Sequence, residues 1–148
     1  MYKHILIATD GSELASRGLD EGLKLSKALG AKVTVVTVTE LWSPFEMSEA
    51  VHSGKKNPLA EYEEAAARSA RRILDVAKEK ARTAGVEIRT VHVPDTHPAD
   101  GIVDTAKREG CDLIVMASHG RRGARRLLLG SQTAETLAHT TIPILVIR

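Results

Sequence analysis

The chain has 148 residues, 43% of them hydrophobic and 27% charged, with a formal net charge of +2. That size fits one globular domain, which buries roughly two-thirds of its unfolded surface and needs no disulfide or metal staple. The near-neutral balance and 3% aromatics argue against a nonspecific nucleic-acid binder or a single-strand stacking platform, and a sole cysteine, Cys111, excludes an internal disulfide and fits a reducing compartment.

No apolar run reaches about 18 residues, so no membrane span is expected. Met1 leads directly into an apolar run, without a basic n-region and cleavage site. The expectation is a cytoplasmic protein whose residues 1–148 form one domain. His4 to Ala8 reads as a short buried strand. Asp10-Gly11-Ser12 is a turn with a polar cap, and Glu13 to Leu29 is the helix it opens. That helix carries a small-residue face of Ala15, Gly18, Gly22 and Ser26, which lets it lie close to a sheet, and Gly30 ends it. Lys32 to Val38 is a second strand, rich in valine and threonine.

Thr39 to Pro58 is too long for an ordinary connection and holds Trp42 and Phe45. It starts at the carboxyl end of a strand, where ligands sit in such folds. It reads either as a lid over a pocket or as a surface loop that takes part in a dimer contact. Leu59 to Ala84 is a long helix with Leu59, Tyr62, Ala66, Ala70, Ile73, Ala77 and Ala84 on one stripe. Gly85 stops it. Then follow a strand from Val86 to Val93, a helix from Pro98 to Glu109 stopped by Gly110, and a strand from Asp112 to Ala117. Ser131 to Thr140 is the last helix and Pro143 to Ile147 the last strand. Strands alternating with helices imply right-handed βαβ units and a parallel sheet. Near-continuous apolar strands such as Leu113-Ile114-Val115-Met116 agree, because both faces of such a sheet are covered.

The chemistry concentrates in Met116-Ala117-Ser118-His119-Gly120, then Arg121 to Leu129, then Gly130-Ser131. A strand ends, a glycine-containing loop follows, and Gly-Ser opens a helix. Amides at a helix start lack acceptors and sit at the positive end of the dipole, which makes an anion site. Gly120 and Gly130 allow close approach to the main chain. Ser131 either caps the helix or donates to a phosphate, with Thr133 able to assist. Neither G-x-x-x-x-G-K-[ST] nor a G-x-G-x-x-G after the first strand occurs, which excludes a P-loop ATPase and argues against a classical dinucleotide fold.

The segment resembles the universal stress protein family, whose ATP-binding members carry G-x2-G-x9-G-[ST]. Here Ala117-Ser118-His119-Gly120 is followed by nine residues and Gly130-Ser131, so the spacing matches and alanine replaces the first glycine. The resemblance covers the whole chain, from Ile5-Leu6-Ile7-Ala8-Thr9-Asp10-Gly11-Ser12 to Pro143-Ile144-Leu145-Val146-Ile147. It implies a Rossmann-like, doubly wound α/β fold, a five-stranded parallel sheet in order 3-2-1-4-5 with helices on both faces. It implies a site for ATP, ADP or AMP. Ala8, Thr9 and Asp10 would line the adenine and ribose end, and Val38 would face the adenine. Met116, Ala117, His119 and Gly120 would wrap ribose and phosphates, and Gly130, Ser131, Gln132 and Thr133 would hold the phosphates. A Mg2+ or Mn2+ ion would be held mainly by the phosphates, with Asp10 reaching it through water. The methyl of Ala117 would crowd the ribose or α-phosphate, which reads as attenuation rather than abolition of binding. The short apolar last strand, Pro143, Ile144, Leu145, Val146 and Ile147, lies at the sheet edge in that order. The resemblance implies that it pairs antiparallel with its copy in a homodimer.

The six histidines form no H-E-x-x-H and no Cys/His zinc spacing, so a structural metal is not expected. Arg121, Arg122, Arg125 and Arg126 make a basic cluster that reads as a solvated face or a phosphate contact. Cys111 reads as a small core residue, and Glu64 with Arg68 as a surface pair on the long helix. The function that follows is a nucleotide-dependent switch or sensor in the stress response, acting on a protein partner. Two others compete with it. A slow ATP hydrolase would have Asp10 and His119 as its only candidate bases, and an interaction protein would bind no nucleotide.

Overall fold

Short runs of β-branched and aliphatic residues build a single five-stranded sheet, with all neighbours parallel and the order β3-β2-β1-β4-β5. The computed structural model describes residues 1–121 and 128–148. The elements are β1 His4–Ala8, α1 Glu13–Leu29, β2 Lys32–Val38, α2 Pro44–His52, α3 Pro58–Ala84, β3 Ile88–Val93, α4 Pro98–Glu109, β4 Leu113–Ala117, α5 Ser131–His139 and β5 Ile144–Ile147. The α/β class and the strand order expected from the sequence are those observed.

β1 is the central strand, and its alternation sorts the two cores. Ile5 and Ile7 point to one face, where they meet Val33, Val35, Leu113 and Val115 under Leu19 and Leu23 of α1 and Leu74, Ala77 and Ala81 of α3. Leu6 points to the other, with Val36, Ile114 and Met116 under Ile102 and Ala106 of α4. Cys111 belongs to this second core, and burial pushes its thiol up to about 11. The small-residue face of α1 is buried as expected. A Cβ on Gly22 would stand 2.5 Å from Ile7 Cδ1, so the bare glycine lets the helix lie against the sheet. Ser12 caps α1, its side chain accepting from the Ala15 N–H at 3.2 Å.

Three expectations are corrected. First, residues 39–58 are not a structureless connection but contain α2. Ser43 and Glu46 form a reciprocal capping box and Pro44 sits in the first turn. Second, the buried stripe of α3 is Ala70, Leu74, Ala77 and Ala81, while Leu59 is 45% exposed. α3 contacts α2 as well as the sheet, and Tyr62 near its start stacks on Trp42 with ring centroids 5.0 Å apart. Third, β3 begins at Ile88 rather than Val86, because the Val86 N–H bonds the Ala81 carbonyl in the cap of α3. Glu64 and Arg68 pair at 3.7 Å on the exposed face of α3 as read.

The topology opens a crevice. The chain leaves β1 for α1 on the first face and leaves β4 for α5, which packs beside α4 on the second. β1 and β4 are neighbours, so the connections after them diverge to opposite faces at the point where strand order reverses. Crevices of this kind hold ligands in open α/β sheets.

Candidate functional site

A cleft of about 590 Å3 occupies that crevice at the carboxyl ends of β1, β2 and β4. Ala8, Thr9, Asp10, Val38, Met116, Ala117, His119, Gly120, Gly130, Ser131, Gln132 and Thr133 all line it. The fold thus brings together every residue singled out for nucleotide contact from segments up to 125 positions apart, Ala8 to Thr133. Tyr62, Ser69, Ala70 and Ile73 of α3, Pro98 and Ile102 of α4, and Arg121 add to the walls. Sequence reasoning did not assign those helix residues to the site, although Tyr62, Ala70 and Ile73 lay on the stripe that it marked on α3.

Asp10 ties the two sides of the mouth. Its Oδ1 accepts the Ser12 N–H at 2.9 Å, and its Oδ2 accepts the Arg121 N–H at 3.0 Å. One carboxylate therefore bridges the loop after β1 and the loop after β4. A Cβ on Gly120 would stand 2.7 Å from Asp10 Oδ2, so this closure requires glycine. Gly130 is also bare for packing. A Cβ there would lie 3.0 Å from both His119 Cα and the Ser118 carbonyl oxygen. The Gly130 N–H donates to that carbonyl at 2.8 Å.

The N-cap of α5 is Gly130, with no side-chain cap bond, so Ser131 is the first helical residue and not the cap. That removes the capping role considered for its hydroxyl. Thr133 differs as well. Its buried hydroxyl is shared between the carbonyls of Ala117 at 2.9 Å and Ser118 at 3.1 Å. It holds the end of β4 in place and has no proton left for a phosphate. The N–H groups of Ser131, Gln132 and Thr133 have no acceptor inside the helix, as at any helix start, and these three residues line the cleft. Gln132 Oε1 is buried without a hydrogen-bond partner among the described residues. An orphaned acceptor costs about 1–3 kcal/mol, and a donor from a ligand in the cleft would relieve it.

The segment between β2 and α3 is fastened at several points. The Thr39 N–H donates to the Val93 carbonyl at 2.9 Å, and the Thr39 hydroxyl bonds His92 Nε2. Burial holds His92 below its ordinary range, against a weaker pull from Asp95. Tyr62 donates its hydroxyl to the Glu40 carbonyl at 2.7 Å. Trp42 is thereby stacked on a residue that itself lines the cleft.

Among the described residues, Asp10 and Glu40 are the only carboxylates on the cleft, and no group of three or more metal-ligating side chains converges. Both oxygens of Asp10 already receive main-chain donors. These residues fit a cation that arrives with phosphates and keeps its own water, the usual habit of Mg2+, and not an all-protein cage. Of the basic cluster, Arg121 lines the cleft, whereas Arg122, Arg125 and Arg126 lie outside the described residues. No helix among the described residues is long and apolar enough to cross a membrane. Among the described residues β5 pairs with β4 alone, and Leu145 on it is 38% exposed.

The model of the universal stress protein family matches residues 1–148. The chain is 30% identical to universal stress protein YxiE of Bacillus subtilis over 156 residues, covering all of both chains. Among solved structures, the hypothetical protein MJ0577 superposes with a TM-score of 0.80 at 26% identity, covering 99% of this chain and 96% of that one. A universal stress protein solved in complex with cAMP superposes with a TM-score of 0.73 at 22% identity, covering 99% and 97%.

Proposed function

The chain belongs to the universal stress protein family, and from that premise we propose that it binds an adenine nucleotide in the cleft and acts as a nucleotide-dependent switch. The carrying observation is the convergence of the twelve resemblance-implied residues on one cavity of about 590 Å3, within the usual range for small-molecule sites. A related fold solved with cAMP supports an adenine ligand. In this reading the adenine lies toward Val38 and Ala8, and the ribose toward Asp10 and Gln132. The phosphates lie on the N–H groups of Ser131, Gln132 and Thr133, where the helix dipole favours anions. A divalent cation such as Mg2+ or Mn2+ would add charge to bind the phosphates, with Asp10 reaching it through water.

The strap of residues 39–58 couples occupancy to the surface, because the Trp42–Tyr62 stack joins it to a wall of the cleft. A homodimer through the free edge of β5, with Ile144 and Val146 on the seam, would give the switch a second surface. Light scattering at micromolar protein tests that pairing, and a monomer there removes it. The cytoplasm, where Cys111 stays a thiol, is the setting of this reading.

The deciding experiment is titration of nucleotide-stripped protein with Mg-ATP, followed by calorimetry and Trp42 fluorescence. Saturable heat with a change in Trp42 emission is the expected result. No heat at millimolar ATP overturns the nucleotide reading.

A further inference from the structure

A second cavity, of about 340 Å3, lies between α1 and α3 beside the cleft. We propose that it binds a phosphoryl oxyanion through Arg72 and Arg121, assisted by the hydroxyls of Ser16 and Ser69. All four residues line it. The case begins with charge. Among the described residues no Asp or Glu lines this cavity, and neither guanidinium has an ion-pair partner there. Two like charges facing one space repel unless an anion lies between them. The fork of a guanidinium matches the oxygens of a phosphoryl group in pairs, and serine hydroxyls add neutral donors.

The backbone keeps this space open. Gly11 has φ 78, and a Cβ there would stand 3.0 Å from Arg121 Nη2 and 2.8 Å from Ile73 Cγ1. The bare residue therefore admits the Arg121 guanidinium against the loop. Thr9, Ser69, Ile73 and Arg121 line both this cavity and the cleft, whereas Arg72 and Ser16 line this one alone. Two sources of the same chemistry fit that arrangement. One is the phosphate tail of a nucleotide seated in the cleft, and the other is a free inorganic phosphate or pyrophosphate.

The test uses the full chain and three probes, inorganic pyrophosphate, AMP and Mg-ATP, titrated by calorimetry into the unaltered protein and into Arg72→Ala. Arg72 is exposed, so its removal leaves the fold intact, which thermal melting checks. Ser69→Ala is the second variant. Pyrophosphate is expected to bind saturably and to lose about tenfold in affinity in Arg72→Ala, as for a charge-assisted hydrogen bond. Arg72→Lys, which keeps the charge but not the fork, falls between. Loss on ATP but not on AMP identifies the nucleotide's own tail as occupant. Loss on pyrophosphate with both nucleotides unchanged identifies a free anion. If pyrophosphate and ATP are both indifferent to Arg72→Ala and Ser69→Ala, the site does not exist. The site does not rest on the nucleotide reading: pyrophosphate binding that depends on Arg72 in a protein that binds neither AMP nor ATP would sink that reading and keep this one.

Discussion

The two ends of the sheet are tied by the same device and come out differently. At the amino ends of the strands, the Asp112 carboxylate accepts the N–H of Lys3 at 2.9 Å and of His4 at 3.0 Å. At the carboxyl ends, Asp10 accepts the N–H groups of Ser12 and Arg121. Each aspartate joins the β1 segment to the β4 segment. The lower end is closed because the connections there are short: α1 turns into β2 through Gly30 and Ala31, and α4 into β4 through Gly110, Cys111 and Asp112. The upper end is open because the chain leaves β1 and β4 toward opposite faces. A carboxylate strap closes a surface where the chains converge, and spans a mouth where they part. The topology, not the strap, makes the cleft.

That contrast predicts that damage above costs ligand and damage below costs stability. The largest effect is expected at Gly130. An alanine there meets main chain at 3.0 Å, not the end of a flexible side chain, and overpacking costs about 1–3 kcal/mol. The loop must shift, and Gly130→Ala should weaken ATP by about tenfold to a hundredfold in calorimetry. Unchanged affinity would mean that the phosphates do not lie on this helix start. Asp112→Asn comes next, with about 1–2 kcal/mol lost in urea unfolding and no change in nucleotide affinity. A matching loss of affinity would show the two ends to be coupled and break the contrast. Ala117→Gly restores the glycine that the family motif carries at that position. It should tighten ATP a few-fold while costing up to about 1 kcal/mol of stability, from the added freedom of the unfolded chain. A weaker complex would mean that the methyl contacts the ligand instead of crowding it.

Legibility follows the same division. The parallel sheet and both ends of α1 were readable because local signals sat where the structure uses them: Ser12 as cap, Gly30 in the left-handed conformation with φ 64; the strand order came from the family resemblance. Of the twelve cleft residues, the family motif marks Ala117, Gly120, Gly130 and Ser131, and the resemblance over the rest of the chain supplied the others. Missed were features set by long-range contact. α2 buries only Ala50, so it has no apolar stripe to find, although Ser43, Pro44 and Glu46 spell a helix start. The wall from α3 depends on how far that helix overhangs the sheet, which periodicity does not encode. The hydroxyl of Thr133 looked like a phosphate donor, yet buried carbonyls at the end of β4 claimed it first.

The smallest effects concern pH, and here the two ends should part in sign. The N–H groups of His4 and then Lys3 hold the Asp112 carboxyl below its usual range. A depressed carboxyl gives stability that is present above its unfolded value and lost as pH falls through the folded one. The upper end has an opposite case in His97, at the start of α4, whose Nε2 meets Glu135 Oε2 of α5 at 2.5 Å. That hydrogen bond, helped by the nearby charges of Glu135, Asp100 and Glu40 and opposed by desolvation, raises His97 above its ordinary value. Its contribution is complete below the unfolded value and lost as pH rises through the folded one. The pair is exposed, so about 0.5 kcal/mol or less is expected. Melting curves of the parent chain, Asp112→Asn and His97→Gln from acid to mildly alkaline pH check both signs. Asp112→Asn should flatten only the acid limb and His97→Gln only the limb that begins at the ordinary histidine value and runs upward. If His97→Gln also shifts the pH dependence of ATP binding, the contact between α4 and α5 reaches the phosphate end of the cleft. Gln132 is then the route, since it stands about one turn before Glu135 on the same helix.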